Sequence, residues 1–129
     1  MADVLSALAE KDCRVEVHGW ADRQSLQLAI TRADVVVIPS RWEGLPLLAL
    51  EALRTGSLVL AQSIPVMESL RSEAIGVYTT DFDLPDRIEK DLEIMFSSAP
   101  EPSAISAVAR ERFDSDRQCD RLLTELVSR

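Results

Sequence analysis

The chain has 129 residues, 28% charged and 47% hydrophobic, with a formal net charge of −8. That length fits one domain with a single core, and the acidic balance repels phosphate backbones at long range, which argues against a nucleic-acid partner. No stretch reaches the roughly 20 apolar residues of a membrane span, Met1 to Leu8 lacks a leader pattern, and the two distant cysteines, Cys13 and Cys119, make neither a disulfide framework nor a metal site. A reduced cytoplasmic setting with no metal and no transmembrane segment is expected.

The elements alternate along the chain. Ala2 to Glu10 reads as a helix with Val4, Leu5 and Leu8 on one face. Cys13 to His18 alternates and reads as a strand, ended by Gly19. Asp22 is the expected N-cap of a helix through Leu26, Leu28, Ala29 and Ile30. Val35 to Ile38 is a continuous β-branched run, the pattern of a strand buried on both faces. Pro39 and Ser40 stop it, and a loop follows. Pro46 suits a first helical turn, because its missing N–H costs nothing there. Leu47 to Arg54 is helical, and Gly56 is the expected C-terminal stop.

Leu58 to Ala61 is a further apolar strand, Pro65 to Leu70 a helix, and Ile75 to Thr79 a fourth strand. Asp83 or Pro85 opens a helix containing Ile88, Leu92, Ile94 and Met95. Pro100 and Pro102 break the chain. A helical tail from Ala104 to Val127 bends near Asp114. Strands alternating with helices imply an α/β fold with a parallel sheet, here of about four strands between helices. Ligands on such sheets bind outside the carboxyl ends of the strands, so the loops after His18, Ile38, Ala61 and Thr79 are the candidates.

The loop after Ile38 carries the chemistry. Glu43 sits just before a helix N-terminus, and Glu51 lies eight residues on, inside an otherwise apolar helix. Gly44 permits a tight turn or a close ligand. Free N–H groups at the helix start suit a phosphate, and carboxylates accept from sugar hydroxyls. A second reading stands beside this one. Glu43 before a helix can simply favour its positive end, and Glu51 can be structural with Arg54 as its ion-pair partner. Trp42 and Trp20 read as half-buried loop anchors, although either could stack on a sugar or base. His18, the only histidine, reads as structural or solvent-edge, and Asp81, Asp83 and Asp86 as a solvated linker.

Asp34-Val35-Val36-Val37-Ile38-Pro39-Ser40, Glu43-Gly44-Leu45-Pro46 and Glu51-Ala52-Leu53 together resemble the retaining GT-B glycosyltransferases of the group 1 family. Val15 to Gly19, Gly76-Val77-Tyr78 and Ala109-Arg110-Glu111-Arg112-Phe113 extend the likeness over nearly the whole chain. The resemblance implies a partial Rossmann-like C-terminal donor domain over 1–129, with closing helices at about 104–128. It implies that Glu43, Gly44, Leu45 and Pro46 face the donor sugar, that Leu47 faces the diphosphate, and that Glu51 binds the ribose. The implied ligand is a nucleotide-diphosphate hexose, used without a cofactor.

The sequence departs from that family in three places. Two strands that begin the family's donor domain, with the Arg and Lys that hold the diphosphate, have no counterpart, and Lys11 and Arg14 do not replace them. The acceptor-binding domain is likewise without a counterpart. Ile64 and Pro65 stand where a Gly-Gly pair is usual, with Glu68 retained, so that loop is expected to take a different path. The expectation is a donor domain inactive alone, with no catalytic residue of its own, completed by a homo-oligomer, a partner chain or an acceptor domain. The alternatives are a degenerate partner-binding module of the same fold and one subunit of a split glycosyltransferase; a sugar-nucleotide epimerase would need a His and acidic set that is not evident.

Overall fold

The structure, a computed structural model, describes residues 6–7 and 10–114. Its elements in chain order are α1 (Arg23–Arg32), β1 (Val35–Ile38), α2 (Leu47–Thr55), β2 (Leu58–Gln62), α3 (Pro65–Glu73), β3 (Val77–Thr80), α4 (Pro85–Ser97) and α5 (Pro102–Phe113). Of the helix expected over Ala2 to Glu10, the described residues 6, 7 and 10 are helical. The second closing helix expected beyond Asp114, and Cys119, fall outside the described residues.

The three strands form one parallel sheet in the order β1-β2-β3, with Val35 beside Leu58 and Val59 beside Val77. The α/β class is as expected. The strand count is not, because Cys13 to His18 forms no strand. A turn closes there instead: the Val15 N–H donates to the Asp12 carbonyl, and the Arg14 guanidinium is held by Asp12. Val17 is 45% exposed, so the alternation that suggested a strand has no sheet to pack on.

Burial also falls differently along the sheet. β1, read as buried on both faces, is an edge strand in which only Ile38 is fully buried and Val37 is half exposed. The doubly covered strand is β2, where Leu58, Val59, Leu60 and Ala61 are all buried. Both strands are short apolar runs, and only the neighbours on each side distinguish them.

The core gathers around β2. Leu53 from α2, Met67 and Leu70 from α3, Met95 from α4 and Ile105 from α5 belong to the same buried cluster. Burying each such side chain contributes roughly 1.5–3 kcal/mol. α1 sits further out: of its expected apolar face, Ile30 is buried, but Leu26 and Leu28 are exposed.

The helix ends follow local chemistry. The Asp22 side chain accepts from the Ser25 N–H at 2.7 Å, the N-cap expected for α1. Gly56 ends α2 in the left-handed region at φ 89°, with the Ser57 N–H reaching the Ala52 carbonyl at 3.0 Å. Ser57 is buried, and its hydroxyl donates to the Ile30 and Ala33 carbonyls, which ties the end of α1 to the start of β2. α5 lies across α2: the Ser106 hydroxyl donates to the Arg54 carbonyl at 2.8 Å, and Gly56 packs directly against Pro102.

Candidate functional site

The loop over 39–46 leaves the carboxyl end of β1 and enters α2. Pro46 is the N-cap of α2, one residue ahead of the expected first turn, and no side chain caps that end. The Leu47 N–H donates to the Leu45 carbonyl at 2.8 Å, and the Leu50 N–H donates to the Pro46 carbonyl. Leu48 and Ala49 therefore carry the N–H groups that helix geometry leaves without an intrahelical acceptor. Gly44 needs no left-handed conformation; a Cβ added there would meet nothing within 4 Å. Open space, not a tight turn, is what this glycine provides.

Glu43 is half-buried beside that space. Trp42 is 91% exposed and Trp20 fully exposed, so neither is the loop anchor it was read as. The Arg41 guanidinium, itself largely exposed, pairs with Asp83 in the loop between β3 and α4, a solvent-screened contact. That pair also changes the reading of the acidic run. Asp83 holds Arg41, and the Asp81 carboxylate accepts from the Asp83 N–H at 3.0 Å and from Gln62. His18 lies on exposed chain, with Glu16 at 3.2 Å.

Glu51 lies one turn beyond Leu47 on α2 and faces α1. Its partner is Arg23, at 3.4 Å, and not Arg54 as expected. Arg54 belongs to the same groove, about 380 Å³ in volume, lined by Arg23, Gln27 and Ile30 of α1, by Glu51, Arg54 and Thr55 of α2, and by Arg110 of α5. Sequence reasoning missed Arg23 and Arg110 because no local pattern joins positions so far apart. The signal that could have placed Arg23 is the Asp22 cap, which fixes where α1 begins.

A second cleft, about 400 Å³, opens at the carboxyl ends of β2 and β3 among Gln62, Ser63, Glu68, Arg71, Thr79 and Thr80. Its loop carries the Ile64–Pro65 departure, and Ile64 is extended (φ −130°) with Pro65 as the first residue of α3. Most of the cleft's polar groups bind one another: Ser63 donates to Glu68 at 2.7 Å and Arg71 donates to Thr79 at 3.1 Å. The buried Thr80 hydroxyl has no partner among the described residues. The Ser63 hydrogen bond, ahead of weaker help from Thr79 and Arg71, holds the Glu68 carboxyl below its ordinary range. Ser63→Ala is expected to raise that pKa toward the ordinary glutamate value, as followed by carboxyl-carbon NMR titration. A group whose folded pKa is depressed stabilises fully above its unfolded pKa and loses that contribution as pH falls through the folded value. The effect on overall stability is small, because the carboxylate is 42% exposed and screened.

A three-stranded parallel sheet flanked by helices is a partial Rossmann-like α/β arrangement. The profile of the family described as "Glycosyl transferases group 1" matches residues 2–96, and the chain belongs to that family. A similar curated protein is the "Uncharacterized 41.2 kDa protein in cps region" of Klebsiella pneumoniae, 30% identical over 83 residues, which are 64% of this chain. The chain spans only 22% of that relative's length. Among the described residues no helix is long and apolar enough to cross a membrane.

Proposed function

We propose that this chain is the donor-binding part of a retaining glycosyltransferase that moves a hexose from a nucleotide diphosphate to an acceptor hydroxyl. The observation that carries the reading is the Glu43–Glu51 pair flanking the open N-terminus of α2, in a chain whose family transfers glycosyl groups. Glu43 meets the sugar hydroxyls beside the open space at Gly44, with Leu45 and Pro46 lining it. The exposed ring of Trp42 can stack on the sugar face. The α2 start at Leu47 faces the diphosphate, with the Leu48 and Ala49 amides behind it. Glu51 accepts from the ribose hydroxyls once these displace Arg23. Charge on the leaving diphosphate is stabilised by these amides together with basic groups.

The acceptor-binding half of the GT-B arrangement is supplied from outside the described residues, by an acceptor domain, a partner chain or a second copy, and the isolated chain is inactive. Titration calorimetry of the full chain with UDP-hexoses and GDP-hexoses at millimolar concentration tests the reading. Saturable heat with one base and not the other supports it. Absence of binding by both, in a chain shown by circular dichroism to be folded, sinks it in favour of a partner-binding module of the same fold.

A further inference from the structure

The groove beside Glu51 holds an excess of positive charge in a chain that is otherwise acidic. Arg23, Arg54 and Arg110 line it together, and Glu51 is the only carboxylate among its lining residues. The net charge of the whole chain is −8. Arg23 is partly engaged, by a long contact of 3.4 Å to Glu51. Arg54 and Arg110 have no ion-pair partner among the described residues.

The three guanidiniums come from three helices that packing holds in place. Asp22 caps α1 immediately before Arg23. Gly56 against Pro102, and Ser106 on the Arg54 carbonyl, seat α5 on α2. Arg110 follows Ser106 by one turn and so lies on the same side of α5. Ile105 and Ala109, on the adjoining face, are buried. The fold therefore places the three arginines along one groove, with their side chains exposed to solvent.

We infer that the groove between α1, α2 and α5 is a binding site for a phosphate-type oxyanion, held by Arg54 and Arg110 and joined by Arg23. Guanidinium forks match such oxygens in pairs and stay charged at every working pH. A net charge of about two, from three cations against one carboxylate, favours a diphosphate over a neutral sugar. Glu51 competes with the anion for Arg23, so the anion draws Arg23 away from it. The site goes beyond the donor reading and stands on the groove's charge alone. The phosphate can come from free pyrophosphate or from a nucleotide.

Titration of the full chain with inorganic pyrophosphate at fixed ionic strength, followed by amide NMR, tests the assignment. The expected shifts centre on Arg54, Thr55 and Arg110. The double variant Arg54→Gln/Arg110→Gln, at two exposed positions, should bind pyrophosphate about tenfold more weakly, and the corresponding lysine pair, which keeps the charge but loses the paired fork, should fall between the two. Glu51→Gln should bind pyrophosphate several-fold more tightly, because it frees Arg23 and removes the competing charge. Unchanged affinity in the double glutamine variant overturns the site, as does weaker pyrophosphate binding by Glu51→Gln. A parallel series with uridine and UDP separates the sources: binding of UDP but not uridine, lost in the glutamine pair, assigns the nucleotide's phosphate to the groove and removes it from the Leu47 start of α2, whereas UDP binding that survives in the glutamine pair leaves the groove to free pyrophosphate. Pyrophosphate binding without any UDP-hexose binding would keep the anion site and remove the donor reading.

Discussion

Gly56→Ala is expected to destabilise the chain by about 2–4 kcal/mol, lowering the thermal midpoint by roughly 10 °C. Two separate costs combine there. Gly56 sits at φ 89°, where any L side chain is strained. An added Cβ would also stand 2.7 Å from the Pro102 carbonyl oxygen, a backbone atom that cannot rotate aside. The start of α5 must then lift from α2, which loosens the Ser106 bond to Arg54 and the packing of Ile105. Gly76→Ala provides the internal control. Its φ is 83°, so the conformational strain is similar, but the nearest atoms are side-chain carbons of Ile105 at 3.0 to 3.2 Å, a contact relieved by a few tenths of an ångström, where the Gly56 contact at 2.7 Å is with backbone. Gly76→Ala should therefore cost less than Gly56→Ala in the same melting experiment. Equal losses would show that backbone strain alone sets the cost and that the contact with Pro102 contributes nothing.

Glu51→Ala is expected to weaken nucleotide-sugar binding tenfold or more while leaving the fold nearly as stable. A carboxylate accepting from two ribose hydroxyls makes charge-assisted hydrogen bonds worth about 1.5–3 kcal/mol each, and each 1.4 kcal/mol is a factor of ten in affinity. The same side chain contributes little to stability. It is 32% exposed, and its one partner, the largely exposed Arg23, is 3.4 Å away, so losing the pair costs less than about 1 kcal/mol. Calorimetry and melting on the same variant therefore separate the two roles. A large fall in the melting temperature with unchanged affinity would make Glu51 a structural residue. The contrast with pyrophosphate, which Glu51→Gln should bind more tightly, sets apart the ribose role from the charge role of one residue.

Much of the architecture was legible because its signals are local. Asp22 as a cap, Gly56 as a stop, Pro65 and Pro85 as helix starts, and the order of strands and helices each depend on a few adjacent residues. What was misread depends on distant neighbours. Cys13 to His18 has the alternation of a strand, but a strand exists only where another edge accepts its hydrogen bonds. Val35 to Ile38 and Leu58 to Ala61 look alike in sequence; the second is covered on both sides and the first is not. Trp42 and Trp20 are large apolar residues that read as anchors, yet both stand exposed, because nothing from a distant element covers them. Glu43 and Glu51 lie within one short segment and stand out through the family resemblance, whereas Arg23 and Arg110 join the groove of Glu51 only through tertiary packing.

The position of β1 carries a thermodynamic consequence. Its outer side faces no strand among the described residues, and Val37 stands half exposed on it. A row of unpaired backbone donors and acceptors next to apolar side chains is a template for another extended segment. Any such pairing between molecules ties the free energy of unfolding to the amount of protein present, because mass action favours the paired, folded form. Where such pairing forms, a single melting temperature is a property of the sample as much as of the fold, and a dilution series measures how much stability the three strands hold on their own.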